Sequence, residues 1–138
     1  SCTHAGVTAD LVAAYHSSGR TQLSVMQVDG PDIAKYGVVQ PGLDPGSVAG
    51  LIEKPKPAHA PSNLASIGRY VLTPDIFDVL RNQAAGQGGE IQLADAINTQ
   101  ARNGTVEAVT LNGQRFDCGS VKGFLDAIMF MAKRGGFV

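Results

Sequence analysis

The apolar residues of this chain switch between a period of two and a period near 3.6, and that alternation of strand and helix patterns admits few architectures. Asp10 to His16 has helical spacing and stops before Gly19. Thr21 to Val28 alternates as a strand does, and Gly30-Pro31-Asp32 marks a turn. Tyr36 to Val39 and Val48 to Ile52 read as short strands around a Pro- and Gly-rich tip at residues 40–46. Lys54 to Pro61 holds three prolines in eight residues, so it is neither helix nor central strand but an extended, exposed connection. Leu64 to Leu72 reads as a buried strand. Thr73-Pro74-Asp75 starts a helix, with Thr73 as its cap, that runs to about Asn82. After a Gly-rich loop, Glu90 to Arg102 is a second amphipathic helix closed by Asn103-Gly104. Val106 to Leu111 and Gln114 to Cys118 flank Asn112-Gly113, a strong hairpin signal. A last helix covers Val121 to Lys133. The sum is an α/β domain: a mixed sheet with two antiparallel hairpins and helices on both faces.

The 138 residues suit one domain. A formal net charge of −1 and dispersed basic residues leave no electrostatic footprint for nucleic acid. No apolar run approaches the roughly 20 residues of a membrane helix, and Ser1 to Gly6 does not resemble a signal peptide. Cys2 and Cys118 form neither a disulfide framework nor a zinc spacing, which points to free thiols in a reducing cytoplasm. His4, His16 and His59 share no ligand spacing and read as surface residues.

Three places have the residue types for chemistry. Glu53-Lys54-Pro55 stands at a strand end, where Pro55 ends the ladder and restricts Lys54 to an extended conformation. A break there lets a carboxylate that accepts hydroxyl protons and an ammonium that neutralises phosphate converge on one ligand; the same tripeptide also describes a solvated turn. Phe116 to Ser120 runs from strand to helix, where ligands of open α/β sheets sit. Asp117 there is placed to share a Mg²⁺ with substrate phosphates, or Asp117 or Ser120 caps the last helix. Gly88-Gly89-Glu90 precedes a helix, as anion-binding loops do; alternatively Glu90 complements the helix dipole and Asp95 faces solvent or a neighbouring loop. The stretch matches neither a P-loop nor a GxGxxG fingerprint.

Taken in order, Lys35-Tyr36-Gly37-Val38-Val39, Ile52-Glu53-Lys54-Pro55, Ala60 to Ala65, Ile67 to Leu72, Gly89 to Leu93 with Asp95-Ala96-Ile97, and Asp117-Cys118-Gly119-Ser120 resemble one family. They are similar to the C-terminal half of bacterial UTP–glucose-1-phosphate uridylyltransferases, within the sugar nucleotidyltransferases. Pro61 to Ala65 and Asp117-Cys118-Gly119 favour that family over the thymidylyltransferases. The resemblance spans Asp10 to Lys133. It leaves residues 1–9 as an unassigned lead and residues 10–138 as a single domain with a partial nucleotidyltransferase (Rossmann-like) fold. Two departures are local: Val121 precedes Lys122 where the family commonly places Lys directly, and Gly89 stands where an acidic residue is common.

The resemblance implies a reaction in which glucose 1-phosphate attacks UTP and releases pyrophosphate. It implies that Glu53 binds glucose hydroxyls, and that Lys54 binds phosphate as the catalytic cation. Tyr36 and Gly37 would line the sugar pocket, and Asp117 would ligate Mg²⁺. The family's triphosphate-wrapping loop, with its Gly, Thr, Arg, Pro and Lys, has no counterpart in this sequence. The chain alone is therefore expected to be inactive, and to work with a complementing N-terminal chain or as a homodimer. The other expectation is a non-catalytic sugar-phosphate-binding or oligomerisation module.

Overall fold

The computed structural model describes residues 6–84 and 89–138. Among these, the elements run α1 (Val7–Ser18), β1 (Thr21–Gln27), β2 (Gly37–Pro41), β3 (Val48–Glu53), β4 (Leu64–Val71), α2 (Ile76–Asn82), α3 (Leu93–Arg102), β5 (Val106–Thr110) and α4 (Val121–Arg134). Short 3₁₀ turns occupy Gly30–Lys35 and Pro57–His59. None of the described helices is long and apolar enough to cross a membrane.

The strands form one sheet in the order β3-β2-β4-β1-β5. β1 pairs antiparallel with β4 and parallel with β5, so the sheet is mixed. Successive side chains of β1 point to opposite faces. Leu23 and Val25 enter a cluster with Ile76 of α2 and Ile97 and Ala101 of α3. Gln22 faces the other way and donates to Ser18 Oγ of α1 at 2.9 Å. Helices therefore cover both faces, as the alternation of patterns requires. Each fully buried Leu or Val of this core contributes about 1.5–3 kcal/mol. The tip of the β2–β3 hairpin curls to the far edge, where Ala108 N donates to Gly46 O at 2.8 Å and Ser47 bridges Glu107.

Several expectations need correction. Gln114 to Cys118 is not a strand, and the second hairpin does not form. Its turn signal is local, but a returning strand needs a free edge. β5 already has β1 on one side and the hairpin tip on the other. The proline-rich connection includes a 3₁₀ turn, and Pro55 is buried. In β4 only Ala65 and Ser66 are buried. Thr73 does not cap α2, which begins at Ile76 without a side-chain cap. The Thr73 hydroxyl instead accepts from Gln100 Nε2 at 2.8 Å and lies 3.2 Å from Thr21 Oγ1, joining a buried link between β1 and α3. α3 starts at Leu93, three residues later than its pattern suggests.

Candidate functional site

The β2–β3 hairpin sets Gly37 directly opposite Glu53. A Cβ on residue 37 would lie 3.0 Å from Glu53 Oε2 and 3.5 Å from Leu51 Cδ1. Glycine therefore leaves the Glu53 carboxylate its position against the strand. Tyr36, Gly37, Leu51 and Glu53 form one wall of a cleft of about 240 Å³, and Leu93, Ala94 and Ile97 of α3 form another. Ser66, Gly68 and Tyr70 of β4 and Lys35 complete it.

Lys54 departs from the expectation that a residue before proline is extended. Its φ is +44°, and it alone among the described non-glycine residues has a positive φ. An L-residue in that region costs about 1–2 kcal/mol. The Lys54 amide is held by Tyr36 O at 3.0 Å, so the ladder continues to this residue and the chain turns sharply there. In a regular strand Glu53 and Lys54 would point to opposite faces. Here Lys54 Nζ comes to 4.0 Å from Glu53 Oε1, both side chains remaining largely exposed at 66% and 60%. Such a pair stabilises the fold little, which leaves both groups available to a ligand.

Asp117 does not line this cleft. It borders a second hollow of about 440 Å³ with Phe116, Asp126, Phe130 and Lys133 among its walls. Asp117 Oδ1 accepts from Gly119 N at 3.1 Å, and Ser120 Oγ caps α4 by accepting from Gly123 N at 3.1 Å. Of the two capping candidates, Ser120 is the helix cap. Glu90 precedes α3 by three residues, and Asp95 is the acidic group in the first turn, exposed to solvent. Gly88 lies outside the described residues, as do Cys2 and His4. Cys118 is an exposed free thiol, and His16 and His59 are exposed.

The sequence of residues 6–134 matches the family described as nucleotidyl transferase. The chain belongs to that family. UTP–glucose-1-phosphate uridylyltransferase of Pseudomonas aeruginosa is 46% identical over 129 residues, covering 91% of this chain and 46% of the relative. UTP–glucose-1-phosphate uridylyltransferase 2 of Staphylococcus saprophyticus is 46% identical over 118 residues, covering 83% and 41%. The chain thus spans about half the length of the curated relatives it matches. A solved structure of UDP-glucose pyrophosphorylase complexed with UDP-glucose superposes with a TM-score of 0.84 at 37% identity. That superposition covers 97% of this chain and 52% of the other.

On this nucleotidyl transferase scaffold, two charged residues lie beside the site without having been singled out from sequence. Arg115 stacks its guanidinium over the Tyr36 ring, 5.5 Å from the centroid, and Nη1 lies 3.4 Å from the Tyr36 hydroxyl. It joins the Asp117 loop to the entrance of the Glu53 cleft. The two residues are 79 positions apart, and no local pattern announces the contact. Lys35 donates to Asp32 Oδ1 at 2.7 Å, and that hydrogen bond, with the Asp32 charge, raises its ammonium above the usual lysine range. Asp117 makes a smaller contribution of the same sign. Lys35 is visible in the resemblance motif, but its place in the cleft wall follows from the 3₁₀ turn that precedes β2.

Proposed function

We propose that this chain carries the sugar-phosphate side of a uridylyl transfer from UTP to glucose 1-phosphate, which yields UDP-glucose and pyrophosphate. The observation that supports it is the grouping of Tyr36, Gly37 and Glu53 in one cleft with the Lys54 ammonium 4.0 Å from the Glu53 carboxylate. A carboxylate suits sugar hydroxyls, and an ammonium suits the phosphate attached to them. The similarity to a UDP-glucose pyrophosphorylase complexed with UDP-glucose supports the same assignment.

The chemistry asks the protein for position and charge. An already ionised phosphate oxygen of the sugar phosphate forms a bond to the α-phosphorus of UTP, and the bond to pyrophosphate breaks in line. Glu53 holds the sugar through its hydroxyls. Lys54, as the catalytic cation, draws the phosphate to the strand end and offsets charge in the transition state. Tyr36 and Gly37 shape the pocket around the ring.

The Asp117 site fits magnesium in part. Among the described residues no three His, Cys, Asp or Glu side chains gather as a metal cage. Asp117 spends Oδ1 on Gly119 N, and its other oxygen accepts no hydrogen bond from a described residue. One free carboxylate oxygen suits Mg²⁺, which keeps waters and takes substrate phosphates as its other ligands. Bound there, the ion would neutralise phosphate charge.

Titration calorimetry of the purified chain with glucose 1-phosphate tests the reading. Saturable binding is expected, weakened at least tenfold in Glu53→Ala and Lys54→Ala; no binding to the intact chain overturns it. Pyrophosphate release from UTP and glucose 1-phosphate is expected with a complementing nucleotide-binding chain, and not from this chain alone. Turnover by the chain alone removes the need for that partner.

A second reading, an oligomerisation module, is favoured by α4. It buries no residue while Phe124, Leu125, Ile128 and Met129 stay exposed. Particle mass in solution tests it: a dimer supports self-association, a monomer removes it.

A further inference from the structure

We infer that Asn98 is a positioning residue that fixes the gap between the two walls of the Glu53 cleft. The inference rests on the reading that this cleft takes a hexose phosphate. Leu51 N donates to Asn98 Oδ1 at 2.6 Å, and Asn98 Nδ2 donates to Leu51 O at 2.9 Å. β3 is the edge strand of the sheet. An edge strand turns half its main-chain groups away from its neighbour, and these seek water or another strand. A side-chain amide carries the same donor and acceptor as a peptide unit. Asn98 therefore stands where the next strand would be and satisfies both groups of Leu51 at once.

The place of this contact gives it a consequence for the site. Leu51 and Glu53 are two apart on one strand, so they share a face, and both line the cleft. The Leu51 side chain also faces the position of the missing Cβ of Gly37. On the other side, Ile97 precedes Asn98 on α3 and lines the opposite wall with Leu93 and Ala94. Apolar packing between α3 and β3 is non-directional and lets one element slide along the other. Two hydrogen bonds of defined geometry to a single residue remove that freedom. The Asn98 amide sets how far the Glu53 carboxylate stands from the apolar wall across the cleft. That distance decides which hydroxyls of a sugar ring the carboxylate can reach.

The test uses the full chain and three variants. Asn98→Leu keeps the approximate volume and removes both hydrogen bonds; Asn98→Asp keeps an acceptor for Leu51 N; Asn98→Ala guards against a misfit of the leucine. Hydrogen exchange is read at the Leu51 amide, with Leu23 and Val25 as references. Glucose 1-phosphate and its C4 epimer, galactose 1-phosphate, are titrated in parallel. Exchange at Leu51 is expected to rise at least tenfold in Asn98→Leu and Asn98→Ala, with the references unchanged. The preference for one epimer over the other is expected to shrink several-fold, with part of it retained in Asn98→Asp. A purely structural role would weaken both sugars in proportion to lost stability and leave the preference intact, and that result overturns the inference. Unchanged exchange at Leu51 overturns it as well. If the wild-type chain binds neither sugar, the functional reading of the cleft fails, while the exchange data still decide whether Asn98 fixes its walls.

Discussion

The hairpin cleft and the Asp117 hollow each present a charged residue, but they are built differently. In the cleft, main chain fixes the backbone at both charged residues: Gly37 is registered against Glu53, and Lys54 is held in a left-handed turn by its bond to Tyr36 O. Behind it lies a core in which Leu23, Val25, Val39, Val48 and Leu51 are buried. In the hollow, Asp117 is tied, among the described residues, only to its own turn, and the adjoining helix α4 buries no residue. Pre-organisation needs support behind the functional atom, and the cleft has it where the hollow does not. The Asp117 turn is nevertheless sterically defined: a Cβ on Gly123 would strike the Asp117 carbonyl.

Five substitutions and one titration would break or sharpen this contrast. The largest effect is expected for Leu23→Ala, which leaves a cavity in the core beside the cleft and costs about 2–5 kcal/mol in denaturant unfolding. A loss below about 1 kcal/mol would mean the core gives the cleft little support. Next comes Gly37→Ala. Its methyl must displace the Glu53 carboxylate by a few tenths of an ångström. Glucose 1-phosphate binding is expected to weaken about tenfold while the melting temperature stays within a few degrees; unchanged affinity would show that the Glu53 position is not critical.

A smaller effect is expected from acid. The hydrogen bond from Gln22 holds the Glu107 carboxyl below the usual carboxylate range, with Ser18 and Arg20 adding to it and partial burial opposing it. Asp75 is lowered likewise by its hydrogen bonds with Thr73 and Gln100. A folded-state pKa below the unfolded value means that the unfolded chain binds the proton first. The stability from these groups is therefore complete above the ordinary carboxylate range and is lost as pH falls through the lowered values. Glu107→Gln and Asp75→Asn should each flatten the acid limb of a stability–pH curve, and an unchanged limb would remove that assignment. The smallest effect is expected for Leu125→Ala on α4, within about 0.5 kcal/mol, as for other exposed positions. A loss above about 1.5 kcal/mol would show that α4 is packed in solution and would erase the contrast.

The strands and the Gly37–Glu53–Lys54 neighbourhood are legible in the sequence, because Val, Ile and Leu alternate and because glycine and proline punctuate the hairpin. The features that were missed depend on distant partners. Pro55 argues for an extended Lys54, yet the amide bond to Tyr36 and the exit of the chain impose a positive φ. Asn112-Gly113 is a sound turn signal, but whether the following segment pairs depends on an edge already occupied by residues near 47. Thr73 has the composition of a helix cap, and its hydroxyl is taken instead by Gln100, 27 residues away. Asn98 meets Leu51 across 47 positions, and nothing in its own segment separates it from any polar residue on a helix.

β1 precedes both of its strand neighbours in the chain. The β4 pairing waits for Leu64 to Val71, and the parallel β5 pairing brings Gln22 to Glu107, 85 residues downstream. A parallel partner cannot be reached by a tight turn, and so distant a closure is slow. Leu23 and Val25 have no strand partner until Leu64 to Val71 has been made, and their second neighbour waits for Val106 to Thr110. The order of assembly is thus written into the sheet: the cleft hairpin is local and can close first, and the strand that completes its supporting core closes last.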